Sequence, residues 1–130
     1  MSSELRLDGA AVVDVDSFYD EVNRVFMTGE SWRLGPSLDA LDDLLYGGYG
    51  ALHGQEAVRV VWTEHERSRR ALGRDATIAL QAAKLERPDL YDADRARAAI
   101  AALEAGMGPT YFDIVLEIFA SHPEIELVLA

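Results

Sequence analysis

The sequence predicts an α/β protein, a small parallel sheet covered by helices. Residues 58–62, VRVVW, form a short, β-branched and almost wholly apolar run, as a strand buried on both faces requires. Two other strand-like runs, ELRLD at 4–8 and IELVLA at 125–130, are separated from it by stretches of helical pattern. No tight hairpin signal joins them, so the strands need crossover connections and run parallel. With 130 residues, 49% of them hydrophobic, the chain is expected to form a single domain, 1–130, that buries its own core.

Residues 4–8 alternate apolar and polar and meet a turn at Gly9. Asp16 or Ser17 caps a helix expected over 17–27, with Phe18, Val22, Val25 and Phe26 as its buried stripe and Gly29 beyond its end. The loop ESWRLGP, 30–36, is expected to display Trp32 and Leu34. Ser37 then caps a helix whose apolar side is Leu38, Leu41, Leu44 and Leu45, ended by Gly47 and Gly48. After the strand at 58–62, residues 63–72 read as a polar surface helix capped by Thr63. Residues 74–91 read as helix or irregular chain, and the sequence leaves both open. Residues 92–105 form an alanine-rich helix capped by Asp92. Gly108-Pro109 opens the last helix, about 110–121, in which Pro109 suits the first turn and Phe112, Val115, Ile118 and Phe119 are apolar positions.

Composition excludes several classes of function. Cysteine is absent, so there is no disulfide framework or thiolate metal site. The start MSSELRLDG lacks the pattern of a signal peptide, and no apolar run approaches the roughly 18 residues of a membrane span. A cytoplasmic protein is expected. Twelve Lys and Arg face 23 Asp and Glu, a net charge of −11, with most of the excess in residues 1–56. Direct nucleic-acid binding needs cations to neutralise phosphate, so this balance argues against it. An acidic surface attracts a basic partner, or simply keeps the protein dissolved.

The segment SLDALDDLLYGG, 37–48, bears on that choice. Asp39 and Asp43 lie one turn apart on one helix face, away from the leucines, and Asp42 lies about 100° from Asp43 around the axis. The positive end of the helix dipole favours Asp39 in the first turn. It does not explain Asp43, which has no lysine or arginine at 39, 40, 46 or 47. Like charges at this spacing cost a few tenths of a kcal/mol, so an external cation gives a better reason for the pair. Trp32 and Leu34 before the helix and Tyr46 and Tyr49 after it would suit a docking surface for a basic protein. Equally, Trp32 suits a core position, and the tyrosines suit a cover for the sheet edge.

LDALDDLL at 38–45, with Gly47 following, resembles the signature of the barstar family, intracellular inhibitors of secreted guanyl-specific ribonucleases. The order of ELRLDG, the helix of 17–27, VRVVW, the last helix and IELVLA is similar to that family over about 4–72 and 109–130. The resemblance implies a barstar-like three-stranded parallel sheet packed by helices, with an extra mainly helical insert near 74–109. It implies a bacterial immunity protein that plugs the active site of a basic extracellular ribonuclease, one to one, through the helix of 37–46 and the loop before it. The partner-binding residues it suggests are Asp39, Asp42, Asp43, Trp32, Arg33, Leu34, Gly35, Tyr46, Gly47 and Glu117. Among these, Asp43 falls on the family's central aspartate, which stands in for substrate phosphate, and Glu117 on an acid of the last helix. Four positions depart from the pattern. Asp42 and Gly48 stand where tryptophans are common, Arg33 where a contacting tyrosine lies, and Ser121 where a second acid lies. The extra carboxylate of Asp42 would compensate in charge for the missing tryptophan, though not in shape.

An enzyme is not expected. His53, His65 and His122 are too scattered for a ligand pair, and no GxxxxGK[ST], GxGxxG or GxSxG is present. Three aspartates on one helix could hold Mg²⁺, but such sites usually take one or two carboxylates plus substrate phosphates. No metal or other cofactor is expected. The remaining alternative is an acidic interaction module or antitoxin for a different basic partner.

Overall fold

The computed structural model describes residues 3–130. Strands β1 (Ser3–Asp8), β2 (Val58–Thr63) and β3 (Ile125–Leu129) form one parallel sheet in the order β1-β2-β3. The central place of β2 accounts for its composition: Val58, Val60, Val61 and Trp62 are buried, while Arg59 reaches solvent and pairs with Glu126 on β3 at 3.2 Å. The α/β class and the parallel sheet expected from the sequence are both present.

Helices α1 (Val15–Phe26) and α2 (Leu38–Leu45) connect β1 to β2. α1 starts earlier than the sequence suggests, because Asp14 is the cap and Ser17 its reciprocal partner. Asp14 Oδ1 accepts from the Ser17 N–H at 2.7 Å, and Ser17 Oγ accepts from the Asp14 N–H at 3.0 Å. The Ser17 N–H, and after it the Ser17 hydroxyl, holds the Asp14 carboxyl below its ordinary pKa. Val25, expected in the buried stripe, is half-buried. α2 begins at the predicted cap, with Ser37 Oγ accepting from the Ala40 N–H at 3.3 Å.

Four helices connect β2 to β3: α3 (His65–Ala71), α4 (Arg74–Leu85), α5 (Ala93–Glu104) and α6 (Tyr111–Ala120). Thr63 does not cap α3. Pairing of β1 with β2 runs on through Asp8 and Thr63, and the Thr63 hydroxyl donates to Leu7 O at 3.1 Å. Glu64, left-handed at φ 51°, makes the turn instead. α4 resolves the open stretch at 74–91 as helix through Leu85, and Asp92 caps α5 as expected. α4 and α5 pack chiefly on each other and make the segment near 74–109 mainly helical, as expected. Thr77 ties this pair to α6, since its Oγ1 accepts from the Tyr111 N–H at 2.7 Å. α6 is capped by Thr110 in a box with Asp113, so Pro109 precedes the helix and does not fill its first turn.

The core joins Phe18, Val22 and Phe26 of α1, Leu41, Leu44 and Leu45 of α2, and Phe112, Val115 and Phe119 of α6 to the sheet residues Leu7, Val60 and Trp62. Trp62 is its centre, stacked on Phe18 at 5.6 Å and tilted against Phe112 at 5.2 Å. Its Nε1–H donates to Ser68 Oγ at 2.9 Å, and the Ser68 hydroxyl donates to Gly9 O at 3.1 Å, which satisfies a buried polar chain. The Gly9 backbone lies so close to β2 that a Cβ there would stand 2.2 Å from Thr63 O. Among the described residues, no helix is long and apolar enough to cross a membrane.

Candidate functional site

α2 turns Leu41, Leu44 and Leu45 into the core and leaves Asp39 and Asp43 exposed on its outer side. Their i, i+4 spacing sets them on one face. Among the described residues neither forms an ion pair with lysine, arginine or histidine. The nearest charge effect concerns Tyr49. Burial, and then the negative charge of Asp43, hold its phenol above the ordinary pKa. Tyr49 in turn packs against Trp32, ring centroids 4.9 Å apart. Trp32 remains 48% exposed, so it belongs to the surface and not to the core. Gly47, at φ +83°, ends α2 in a conformation that favours glycine.

The loop before α2 is fixed from α1. Asn23 accepts from the Leu34 N–H at 2.7 Å and donates to Leu34 O at 3.1 Å and to Tyr19 O at 2.8 Å. This clamp turns Leu34 inward, to 5% exposure. The expectation that the loop displays Leu34 is therefore corrected: Leu34 anchors the loop and offers no contact surface. Arg33 reaches back to Asp20 at 2.6 Å, so its guanidinium is engaged within the chain. Gly35 is exposed, and nothing lies within 4 Å of where a Cβ would stand. Glu30 closes the far side by accepting from the Gly50 N–H at 3.0 Å.

Asp42 does not join its two neighbours as a free acid. It faces α6, and its Oδ1 accepts from His122 Nε2–H at 2.7 Å. A carboxylate only accepts, so that nitrogen carries the proton. His122 is 3% exposed. Helix geometry turns Asp42 about 100° away from Asp43, and its half-exposed carboxylate meets the buried imidazole of His122 there. Tyr46, one turn further, sets its ring edge-on to His122 at 4.7 Å and is itself 74% exposed. Its ring lies against the histidine.

Glu117 is exposed on α6, the helix packed beside α2. Ser121 gives its hydroxyl to Ile118 O at 2.7 Å. Among the described residues no group of three or more His, Asp or Glu is placed to hold a metal ion. His53 is exposed, and His65 lies beside the last residue, its Nδ1 2.9 Å from Ala130 O.

Sequence reasoning missed Asn23, Asp20 and His122 as the residues that hold this face. Asn23 carried a signal: a polar, weak helix former directly after Val22 on the buried side of α1 needs a partner beyond its own helix. For the other two, no local pattern existed.

The chain matches the family model described as Barstar (barnase inhibitor) over residues 3–104. That span runs through α4 and α5, and it stops before α6 and before β3, the strand that completes the sheet in the structure. No curated protein matches the chain.

Proposed function

The chain belongs to the barstar family, and from that premise we propose that it inhibits a basic, secreted, guanyl-specific bacterial ribonuclease by seating the outer face of α2 in the enzyme's active site. Asp39 and Asp43 take up the arginines and lysines that otherwise hold RNA phosphate, and the body of the protein excludes RNA. Asp43 is the central contact, Asp39 supports it from one turn away, and Glu117 adds an acid from α6. Trp32, Tyr46, Gly35 and Gly47 line the rim. The complex is one to one and forms in the cytoplasm of the producing cell, which it protects from its own enzyme.

One observation carries this reading: an exposed carboxylate pair that forms no ion pair among the described residues, on a helix whose flanking loop is fixed from behind. The helix dipole favours Asp39 in the first turn, but folding gains nothing from setting Asp43 beside it, since like charges one turn apart repel slightly. A visiting cation reverses the sign of that interaction. Fixing the loop beforehand also lowers the ordering cost of binding.

Stopped-flow association with a barnase-type ribonuclease tests the reading. Charge attraction over a Debye length speeds encounter at low salt, so kon is expected to fall at least about tenfold between about 50 and 500 mM salt. A salt-independent kon would overturn the role given to the acids. Binding that is absent altogether would return the protein to the class of acidic modules with a different basic partner.

A further inference from the structure

Asp42 and His122 are left over from the proposed contact face, yet they make the one polar side-chain link between α2 and the α6–β3 turn among the described residues. We infer that His122 is a positioning residue: by gripping Asp42 and Tyr46 it sets the rotation of α2 at which Asp39 and Asp43 meet the partner. This rests on the reading of α2 as the binding face.

The geometry supports it in three ways. His122 is held by its own backbone, with its N–H donating to Phe119 O at 3.1 Å and its carbonyl accepting from the Ile125 N–H at 3.0 Å. Its ring therefore belongs to a rigid turn between α6 and β3. That ring meets α2 through the 2.7 Å bond to Asp42, and the residue that caps its end through the edge-on contact with Tyr46. Finally, α2 has eight residues, and Asp39 and Asp43 both stand on it. Any roll of so short a helix carries both carboxylates off their targets together, and a fixed helix avoids that loss on binding.

The Asp42→Asn, Asp42→Ala, His122→Leu and Asp43→Ala variants separate the possibilities, with Kd and dissociation rate measured against a barnase-type ribonuclease and urea midpoints measured alongside. Asp42→Asn keeps an oxygen acceptor for His122 and loses only the charge, so its Kd should stay within about twofold of wild type. Asp42→Ala and His122→Leu should each weaken binding about five- to tenfold through faster dissociation, under conditions where the urea curve shows the protein folded. The double variant should lose no more than either single one, because both break the same link. Should His122→Leu fail to fold, the Asn and Ala pair at the half-exposed position 42 still decides. Equal losses for Asp42→Asn and Asp42→Ala would overturn the inference, since Asp42 would then be meeting the partner with its charge. A lowered urea midpoint with unchanged Kd would overturn it too, by reducing the link to a stability contact. A wild-type Kd for Asp43→Ala would instead sink the α2 face itself, and the role of His122 with it.

Discussion

Replacing Asn23 with alanine removes the amide that fixes the loop before α2. In the native protein its side chain serves the Leu34 N–H at 2.7 Å and the Leu34 carbonyl at 3.1 Å, and Leu34 is 5% exposed. Alanine leaves both backbone groups without a partner in a buried site, at about 1–3 kcal/mol for each unsatisfied group. Some water enters the space vacated by the amide, so a net loss of about 2–4 kcal/mol is expected. With a urea m-value of about 1–3 kcal/mol/M for a protein of this size, the midpoint should fall by about 0.7–4 M. Binding measured below that transition should weaken as well, because Trp32 loses the fixed backbone that seats it against Tyr49. A midpoint shift under about 0.3 M would show that Leu34 is held by its apolar contacts alone, and the clamp would lose its assigned role.

Three further outcomes follow from the same structure. Burial raises the Glu21 carboxyl, but hydrogen bonds from Arg24 at 2.6 and 2.7 Å and from the Asp8 N–H outweigh it and hold the group below its ordinary pKa. A depressed folded pKa gives stability that is present at neutral pH and lost as pH falls through that value, below the usual carboxylate range of about 4. Glu21→Gln should therefore flatten the acid limb of urea midpoint against pH, and an unaltered limb would contradict the assignment. Gly9→Ala places a Cβ 2.2 Å from Thr63 O and 2.5 Å from Glu64 O, both backbone atoms that cannot swing aside. It should cost about 3 kcal/mol or more in denaturant titration, and a loss under about 1 kcal/mol would show that β1 can shift freely. Ser68→Ala strips the Trp62 N–H of its acceptor and should cost about 1–3 kcal/mol with a changed near-ultraviolet tryptophan band. An unchanged band and midpoint would mean that the indole finds another acceptor.

What the sequence made legible was local. Ser37 and Gly47 bound α2 because capping and left-handed termination are the work of one residue each. The composition of β2 announced a central strand because both of its faces are covered. At the start of α1, Asp14, Asp16 and Ser17 are all competent caps, and the choice falls to Asp14 because Ser17 reciprocates. Thr63 was misplaced for another reason: sheet pairing, a long-range interaction, claims it before the helix begins. The candidate site shows the same division. Helical spacing put Asp39 and Asp43 on one face, but it could not say what stood opposite Asp42. The answer, His122, is 80 residues away along the chain. Leu34 turned inward through Asn23, and a loop has no periodicity from which that could be read.

The most direct measurement is RNA cleavage by a barnase-type ribonuclease in the presence of this protein and of its Asp43→Ala variant, at equal concentrations and low salt. The wild-type protein should abolish cleavage at one-to-one stoichiometry. The variant should need at least about tenfold more, because a charge-assisted contact worth about 1.5–3 kcal/mol has been removed. Full inhibition by Asp43→Ala at the wild-type concentration, or cleavage left intact by the wild-type protein, would contradict the role assigned to the acidic face of α2.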